Sequence, residues 1–270
     1  MMVSKGKISV ITICYNASNT IEATIVSVLN QTYGNVEYIV VDGASKDDTL
    51  EIVNRYVDKI AYVISEPDHG IYDAMNKGIK VATGDWIIFM NAGDCFHDER
   101  VIEEFINRAN MDSDIVYGSV MKMLSDIHYR YDPYPIEMMD KCMILPHQAT
   151  FIKTDFQKKH PYDTSFRSSG DYHFFYNAYY KYDAVFQKID LVVADYDEIG
   201  GMSKQQIKTA RMEDLRIWGK ERNIYAAVRI RLRIAYWAIM TAIDAMLPVA
   251  CQIKFRNYRL RKQGYTLLEN

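Results

Sequence analysis

The sequence predicts an α/β protein: a mixed, mostly parallel sheet flanked by helices, with a helical C-terminal extension. Three observations carry that expectation. Apolar, β-rich runs alternate with amphipathic stretches through the first ninety or so residues, the order that βαβ crossovers require. One run, Trp86 to Met90, is apolar without interruption, as a strand buried on both faces is. After about residue 205 the alternation gives way to long apolar and basic stretches.

Taken in order, Ile8 to Ile13 reads as the first strand and Cys14 to Asn19 as the polar turn after it. A helix from about Thr20 to Asn30 follows, capped by Ser18 or Asn19, with Ile21, Ile25, Val28 and Leu29 on one face. Val36 to Val41 makes the second strand, ending at Asp42-Gly43-Ala44-Ser45. Lys46 to Thr49 caps a second helix that reaches about Tyr56. Ile60 to Ile64 is the third strand and Ile71 to Val81 the third helix, with Ile71, Met75 and Ile79 in register. Trp86 to Met90 is the fourth strand, and it ends in Asn91, Gly93 and Asp94, where a carboxylate meets a turn that glycine lets pass close to a ligand.

Composition narrows the classes. At 270 residues, 49% of them hydrophobic, the chain can bury a sizeable core. A net charge of -3 gives no reason to expect nucleic acid as a partner. Cys14, Cys95, Cys142 and Cys251 show no CxxC or metal-ligand spacing, which points to reduced thiols and a cytoplasmic setting. No apolar h-region precedes the first strand, so no export signal is expected.

The strand ends suggest the ligand. No Gly-x-Gly-x-x-Gly follows the first strand and no Gly-Lys-Ser/Thr occurs in this half, which leaves a dinucleotide site or an ATPase-type phosphate loop unsupported. Tyr15, Asp42 and Asp94 offer instead an aromatic ring and two carboxylates at carboxyl edges of strands, where open α/β sheets bind ligands. A nucleoside diphosphate uses that set economically, with a ring for the base, a carboxylate for a base or ribose donor, and a carboxylate for a divalent cation on the pyrophosphate. Turn or helix capping is the competing use of either Asp.

Ile8 to Asn16, Ser27 to Thr32, Val41 to Thr49 and Gly84 to Asp94 resemble the successive motifs of family 2 glycosyltransferases of the Rossmann-like GT-A fold, and Ser65 to Gly78 is similar to the segment before the metal strand in bacterial members that build surface polysaccharides. The resemblance covers roughly residues 7 to 205. It implies a catalytic domain at 1–205, with a nucleotide-binding half at about 7–95 and an acceptor half at about 96–205, and a separate extension at 206–270. It places Tyr15, Asp42, Asp68, Asn76 and Asn91 around the nucleotide. Asp94 takes the last position of an Asp-x-Asp metal motif for Mn2+ or Mg2+, although Asn91 and Gly93 stand where other members often have acidic residues.

In the second half, Ile115 to Val120 reads as a strand, Tyr129 to Pro135 as an irregular crossing, and Leu191 to Asp195 as a later strand. His147 and Gln148, just before a β-like run, resemble an element beside the acceptor and donor phosphates; a histidine packed on the sheet with its nitrogens satisfied is the competing reading. Asp171 opens a helix that reaches about Lys181. A first-turn Asp needs no further explanation, and it also looks like the family's catalytic base, with His173 more simply structural. Ser203 lies on a Gly200-Gly201 loop resembling the one near the donor phosphates. Arg211 and Arg216 fall in a helical stretch and are within reach of phosphate on the same reading.

From Ile234 to Ile253 sixteen of twenty residues are apolar, and between Arg222 and Lys262 nine Lys or Arg accompany one acidic residue, Asp244. Thr241, Asp244, Pro248 and Gln252 gather on one side of a helix, which fits residues 224–262 lying in the interface of an anionic membrane better than crossing it. Docking of its apolar face on the catalytic domain or on a second copy is the alternative. The expectation is therefore an inverting transferase that moves a sugar from a nucleotide-sugar donor to a saccharide acceptor carried on a polyprenyl diphosphate, peripheral on the inner face of the cell membrane. A nucleotidyltransferase would need a glycine-rich basic loop at Cys14 to Thr20, which has neither glycine nor base, and a non-catalytic scaffold need bind no nucleotide.

Overall fold

The computed structural model describes residues 6–124, 127–197, 207–220, 223–246, 251, 254, 258 and 266–268. At its centre is β1 (Ile8–Cys14), parallel to β2 (Val36–Asp42) on one side and β4 (Trp86–Phe89) on the other, with β3 (Tyr62–Ser65) parallel to β2 at the edge. The crossovers are α1 (Ile21–Leu29), α2 (Thr49–Asn54) and α3 (Ile71–Val81). Beyond β4 the sheet turns mixed. β8 (Thr150–Lys153) runs antiparallel to β4 and to β6 (Ile115–Leu124), β7 (Ile127–Tyr131) antiparallel to β6, and β10 (Thr266–Leu268) antiparallel to β7. The twelve-residue β9 (Phe186–Asp197) pairs parallel with β6 and antiparallel with the short β5 (Cys95–Phe96).

Strand periodicity divides the core. Ile8, Val10, Tyr38, Val40, Trp86 and Ile88 face one layer with Ile21 and Ile25 of α1, while Ile11, Ile13, Ile39, Val41, Ile87 and Phe89 face the other with Tyr72, Met75 and Ile79 of α3. Successive residues of each central strand are thus buried on opposite sides, which is why Trp86–Phe89 reads as a continuous apolar run. The first layer also takes α4 (Val101–Arg108), which the sequence reading passed over. Its Val101, Ile102, Phe105 and Ile106 are buried at helical spacing, and the Phe105 ring stacks on Phe151 at 3.7 Å. The second layer takes α5 (Thr154–Lys159) and α6 (Gly170–Tyr180), with Phe174, Phe175 and Ala178 buried.

A buried carboxylate fastens the start of the central strands. Glu37 accepts from Lys7 Nζ and Ser9 Oγ at 2.6 Å and from Thr83 Oγ1 at 2.5 Å. Burial pushes its pKa up, but those hydrogen bonds prevail and hold it at about 2.

Two expectations change. Tyr129 to Pro135 is not wholly irregular, since its first three residues finish β7, a strand created by pairing with β6 and β10 rather than by local pattern. Leu191 to Asp195 is only the middle of β9. In the extension, α7 (Ile207–Ile217) packs against the second layer through the buried Ile217, Leu215 being buried as well, and α8 (Ile224–Met246) follows. The Gly200-Gly201-Ser203 loop lies outside the described residues.

Candidate active site

Each predicted strand-edge residue sits where a crossover leaves the sheet. Tyr15, just past β1, is 59% exposed. Asn16 next to it adopts a left-handed φ of 47°, and its side chain accepts from the Lys46 N–H at 2.8 Å. Tyr15 and Asp68 converge over Gly43, where any Cβ would collide with the Asp68 carboxylate and press on the Tyr15 ring. The ring and that carboxylate therefore share the edge of β1 and β2.

Asp42 does not join them. It is wholly buried, its carboxylate accepting from Ser65 Oγ at 2.7 Å and from the Ser45 N–H and Oγ. It ties the end of β2 to its own turn and to β3. Asn76 is likewise engaged within the protein. Its amide donates to the Tyr162 carbonyl at 2.9 Å and accepts from the Tyr162 N–H at 3.0 Å, so both of its polar ends clamp α3 to the segment before α6.

The β4 turn carries Asp94. Gly93 has φ of 103°, its N–H donating to Thr24 Oγ1 at 3.0 Å while that hydroxyl donates to the Asp94 carbonyl at 2.8 Å. A buried threonine on α1 thus fixes the turn from below. The Asp94 side chain is only 11% exposed, and burial raises its pKa to about 6, an effect that His147 and a backbone hydrogen bond at Asn91 reduce.

His147 lies on a one-turn helix, His147–Ala149, entering β8. Its Nδ1 is 3.3 Å from Asp171 Oδ2 and its Nε2 is 3.9 Å from Asp94 Oδ2 and 3.1 Å from Asn91 Nδ2. With the ring neutral, Nε2 accepts from Asn91 and Nδ1–H donates to Asp171. Burial opposes a charge on this ring, yet Asp171 and Asp94 outweigh it and the His147 pKa is raised. Gln148 is buried beside it.

Asp171, second residue of α6, receives Tyr72 Oη–H at 3.1 Å and the Tyr172 N–H at 2.8 Å on Oδ1. The Tyr72 ring reaches it by lying against Gly170, where a Cβ would approach within 2.7 Å of the ring carbons. Sequence reasoning missed Tyr72, whose partner is 99 residues away. The carboxylates Asp94 and Asp171 therefore flank one imidazole. His173 is structural as expected, stacking on Phe166 at 4.5 Å and pairing with Asn177. Arg211 pairs with Asp214 at 3.0 Å, and Arg216 donates to Ser165 Oγ at 2.8 Å while lying over Phe166. Both arginines are held by protein groups.

A divalent cation would find suitable atoms here. Asn91 Oδ1 is buried without a hydrogen-bond partner among the described residues, and the Asn91 amide and the Asp94 carboxylate both face His147 Nε2; an amide oxygen and a carboxylate are hard donors of the kind Mg2+ or Mn2+ prefers. No group of three or more His, Cys, Asp or Glu forms a metal cluster among the described residues. That is consistent with a cation completed by substrate phosphates.

Residues 9–182 match the family model described as glycosyl transferase family 2. A PGL/p-HBAD biosynthesis glycosyltransferase of Mycobacterium bovis (strain BCG / Pasteur 1173P2) is 30% identical over 203 residues, covering 72% of this chain and 78% of that protein. The fold is similar to the crystal structure of S. aureus TarS 1-349 in complex with UDP-GlcNAc, with TM-score 0.60, 18% identity, and 80% of this chain and 72% of that one covered. It is also similar to the mannosyltransferase PcManGT from Pyrobaculum calidifontis in complex with GDP-Man and Mn2+, with TM-score 0.62, 17% identity, and 94% and 80% coverage.

Proposed function

Because the chain belongs to glycosyl transferase family 2 and is a glycosyltransferase, we propose that it transfers a sugar from a nucleoside-diphosphate sugar to a hydroxyl of a saccharide acceptor, with inversion, using Asp171 as the base. The observation that carries this reading is the placement of Asp94 and Asp171 on either side of His147. Tyr15 and Asp68 receive the nucleoside at the β1–β2 edge. Asp94 and Asn91 Oδ1 hold Mn2+ or Mg2+, which when bound neutralises charge on the departing diphosphate. Across the cleft Asp171 takes the acceptor O–H proton as that oxygen forms its bond to the anomeric carbon and the bond to the diphosphate oxygen breaks. A single displacement of this kind inverts the anomeric centre. Tyr72 and His147 keep the Asp171 carboxylate oriented between them.

Support for the donor class comes from the ligands named for TarS and PcManGT, which share this fold. Calorimetric titration with UDP and GDP, each with and without Mn2+, is expected to show one nucleotide binding in the micromolar range and at least ~10-fold more tightly with the cation. Absence of binding by both would sink the reading.

We further propose that the acceptor is lipid-linked, on a polyprenyl diphosphate, and that α8 rests on the cytoplasmic face of an anionic membrane, as in enzymes of surface polysaccharide synthesis. Tyr225, Val228, Leu232, Tyr236 and Ile239 are all exposed and recur every three or four residues along α8, forming one stripe, and Arg231 is exposed on the same helix. No helix among the described residues is long and apolar enough to cross a membrane, and an apolar stripe with cationic neighbours suits the interface. The full chain is expected to float with vesicles containing phosphatidylglycerol and not with phosphatidylcholine alone, and Leu232→Glu with Tyr236→Glu to abolish flotation. Equal partition to both lipids, or a dimer that those substitutions dissociate without affecting flotation, would overturn it.

A further inference from the structure

The groups that place Asp171 reach beyond the residues matched by the family model, into α7. The N-cap of α6, Ser169, makes no side-chain capping hydrogen bond, and the Tyr172 N–H in the first turn is taken by the Asp171 carboxylate itself. The loop that leads into the N-cap is held by Glu213. Its carboxylate accepts from the N–H of Arg167 at 2.7 Å, Ser168 at 3.0 Å and Ser169 at 2.8 Å. The residues around Glu213 grip the same segment. Asp214 accepts from Ser169 Oγ at 3.3 Å, and Arg216 covers Phe166 and holds Ser165. On the other side of Asp171, Trp218 Nε1 donates to Tyr172 Oη at 2.8 Å, and that hydroxyl donates to the Met139 carbonyl at 2.6 Å. Asp171 therefore lies between residues 169 and 172, both fastened to α7 and its following turn.

We propose that Glu213 is a positioning residue for Asp171, which makes α7 part of the catalytic unit rather than of a separable extension; this rests on Asp171 being the base. A carboxylate that collects consecutive N–H groups makes charge-assisted bonds, roughly twice as strong as neutral ones. Replacing it leaves those donors to water or to a rearranged loop, and the loop leads directly into the first turn of α6. A displacement on the order of 1 Å at a reacting group costs about 10²-fold in rate. Glu213 itself touches neither the β1–β2 edge nor the Asp94 turn, and the loop it holds is linked to the Asp68 segment through Arg167 Nη1, which donates to the His69 carbonyl at 2.7 Å, so nucleotide affinity is expected to change far less than kcat.

The test uses full-length Glu213→Ala and Glu213→Gln. Both are expected to lower kcat, by about 100-fold and about 10-fold respectively, with the dissociation constant for the nucleoside diphosphate within about two-fold of wild type. The diagnostic measurement is Glu213→Ala in an Asp171→Asn background. An effect that acts through the base disappears there, so the double variant should match Asp171→Asn alone within about two-fold. If Glu213→Ala is folded and turns over like wild type, or if its loss multiplies fully with that of Asp171→Asn, the positioning role fails while the base assignment stands. If Asp171→Asn itself turns over normally, it is the base assignment that fails. Glu213→Gln serves as the second reading should the alanine variant not fold.

Discussion

Asp171→Asn should lower kcat by about 10³-fold, within the range that removal of a general base costs, while nucleotide affinity stays within about two-fold. The substitution keeps the shape of the side chain, and an amide oxygen in place of Oδ1 still accepts from Tyr72 and from the Tyr172 N–H, which lie at 3.1 and 2.8 Å. What it removes is the ability to take a proton. It also sets an NH2 group against His147 Nδ1, where Oδ2 now stands at 3.3 Å, so the ring must turn its Nδ1 into an acceptor. The measurement is single-turnover transfer with saturating donor, alongside calorimetric nucleotide affinity and a melting curve. Turnover close to wild type in a folded Asp171→Asn variant would falsify the base assignment.

Asp94→Asn should act on the other side of the cleft and in the opposite sense on stability. Transfer is expected to fall by about 10³-fold, as removal of charge stabilisation in a closed site does, and the enhancement of nucleotide affinity by Mn2+ should vanish. The folded protein free of cation should meanwhile become more stable at pH 7.5. Burial raises the Asp94 pKa from 3.8 to about 6, so between those values the folded state holds a proton that the unfolded chain has released. Stability falls as pH rises through that window and is lowest above about 6, by up to about 3 kcal/mol for a shift of this size. Asparagine has no charge to bury and escapes the cost, so a gain of about 1–3 kcal/mol is expected at neutral pH and none at pH 3.5. The same proton competes with the cation, and Mn2+ affinity of the wild type should drop roughly tenfold per pH unit below 6. Chemical denaturation at both pH values and titration with Mn2+ read these effects. Retained Mn2+-dependent nucleotide affinity in Asp94→Asn would remove Asp94 from the metal site.

The two predictions also mark how far a linear reading reaches. The Asp94 turn is a local pattern, an apolar strand ending in Asn, Gly and Asp, whereas Asp171 is unremarkable as a carboxylate opening a helix and was singled out by the resemblance to family 2 glycosyltransferases. The protein partners of Asp42 and Asn76, Ser65 and Tyr162, were not legible. In both cases the type of side chain fitted a nucleotide pocket, and only a partner distant in sequence shows that it is already engaged. Glu213 has no local signature at all, since an acidic residue in an exposed-looking helix is the commonest arrangement there is.

The apolar runs of β1, β2 and β4, and the helical spacing of Ile71, Met75 and Ile79, depended only on the sequence. Burial of a strand or a helix face is decided by neighbours within a few residues, so period two and period 3.6 are written locally. The tertiary structure alone decided that β7 is a strand, that Asp94 and Asp171 face each other across His147, and that α7 holds the entry to α6. The last two depend on pairings between groups distant in sequence, such as His147 with Asp171, 24 residues apart, and Tyr72 with Asp171, 99 apart, and β7 depends on its pairing with β10 as well as with β6. Contacts at that separation are set by how the layers stack, and no residue carries the identity of such a partner in its own neighbourhood.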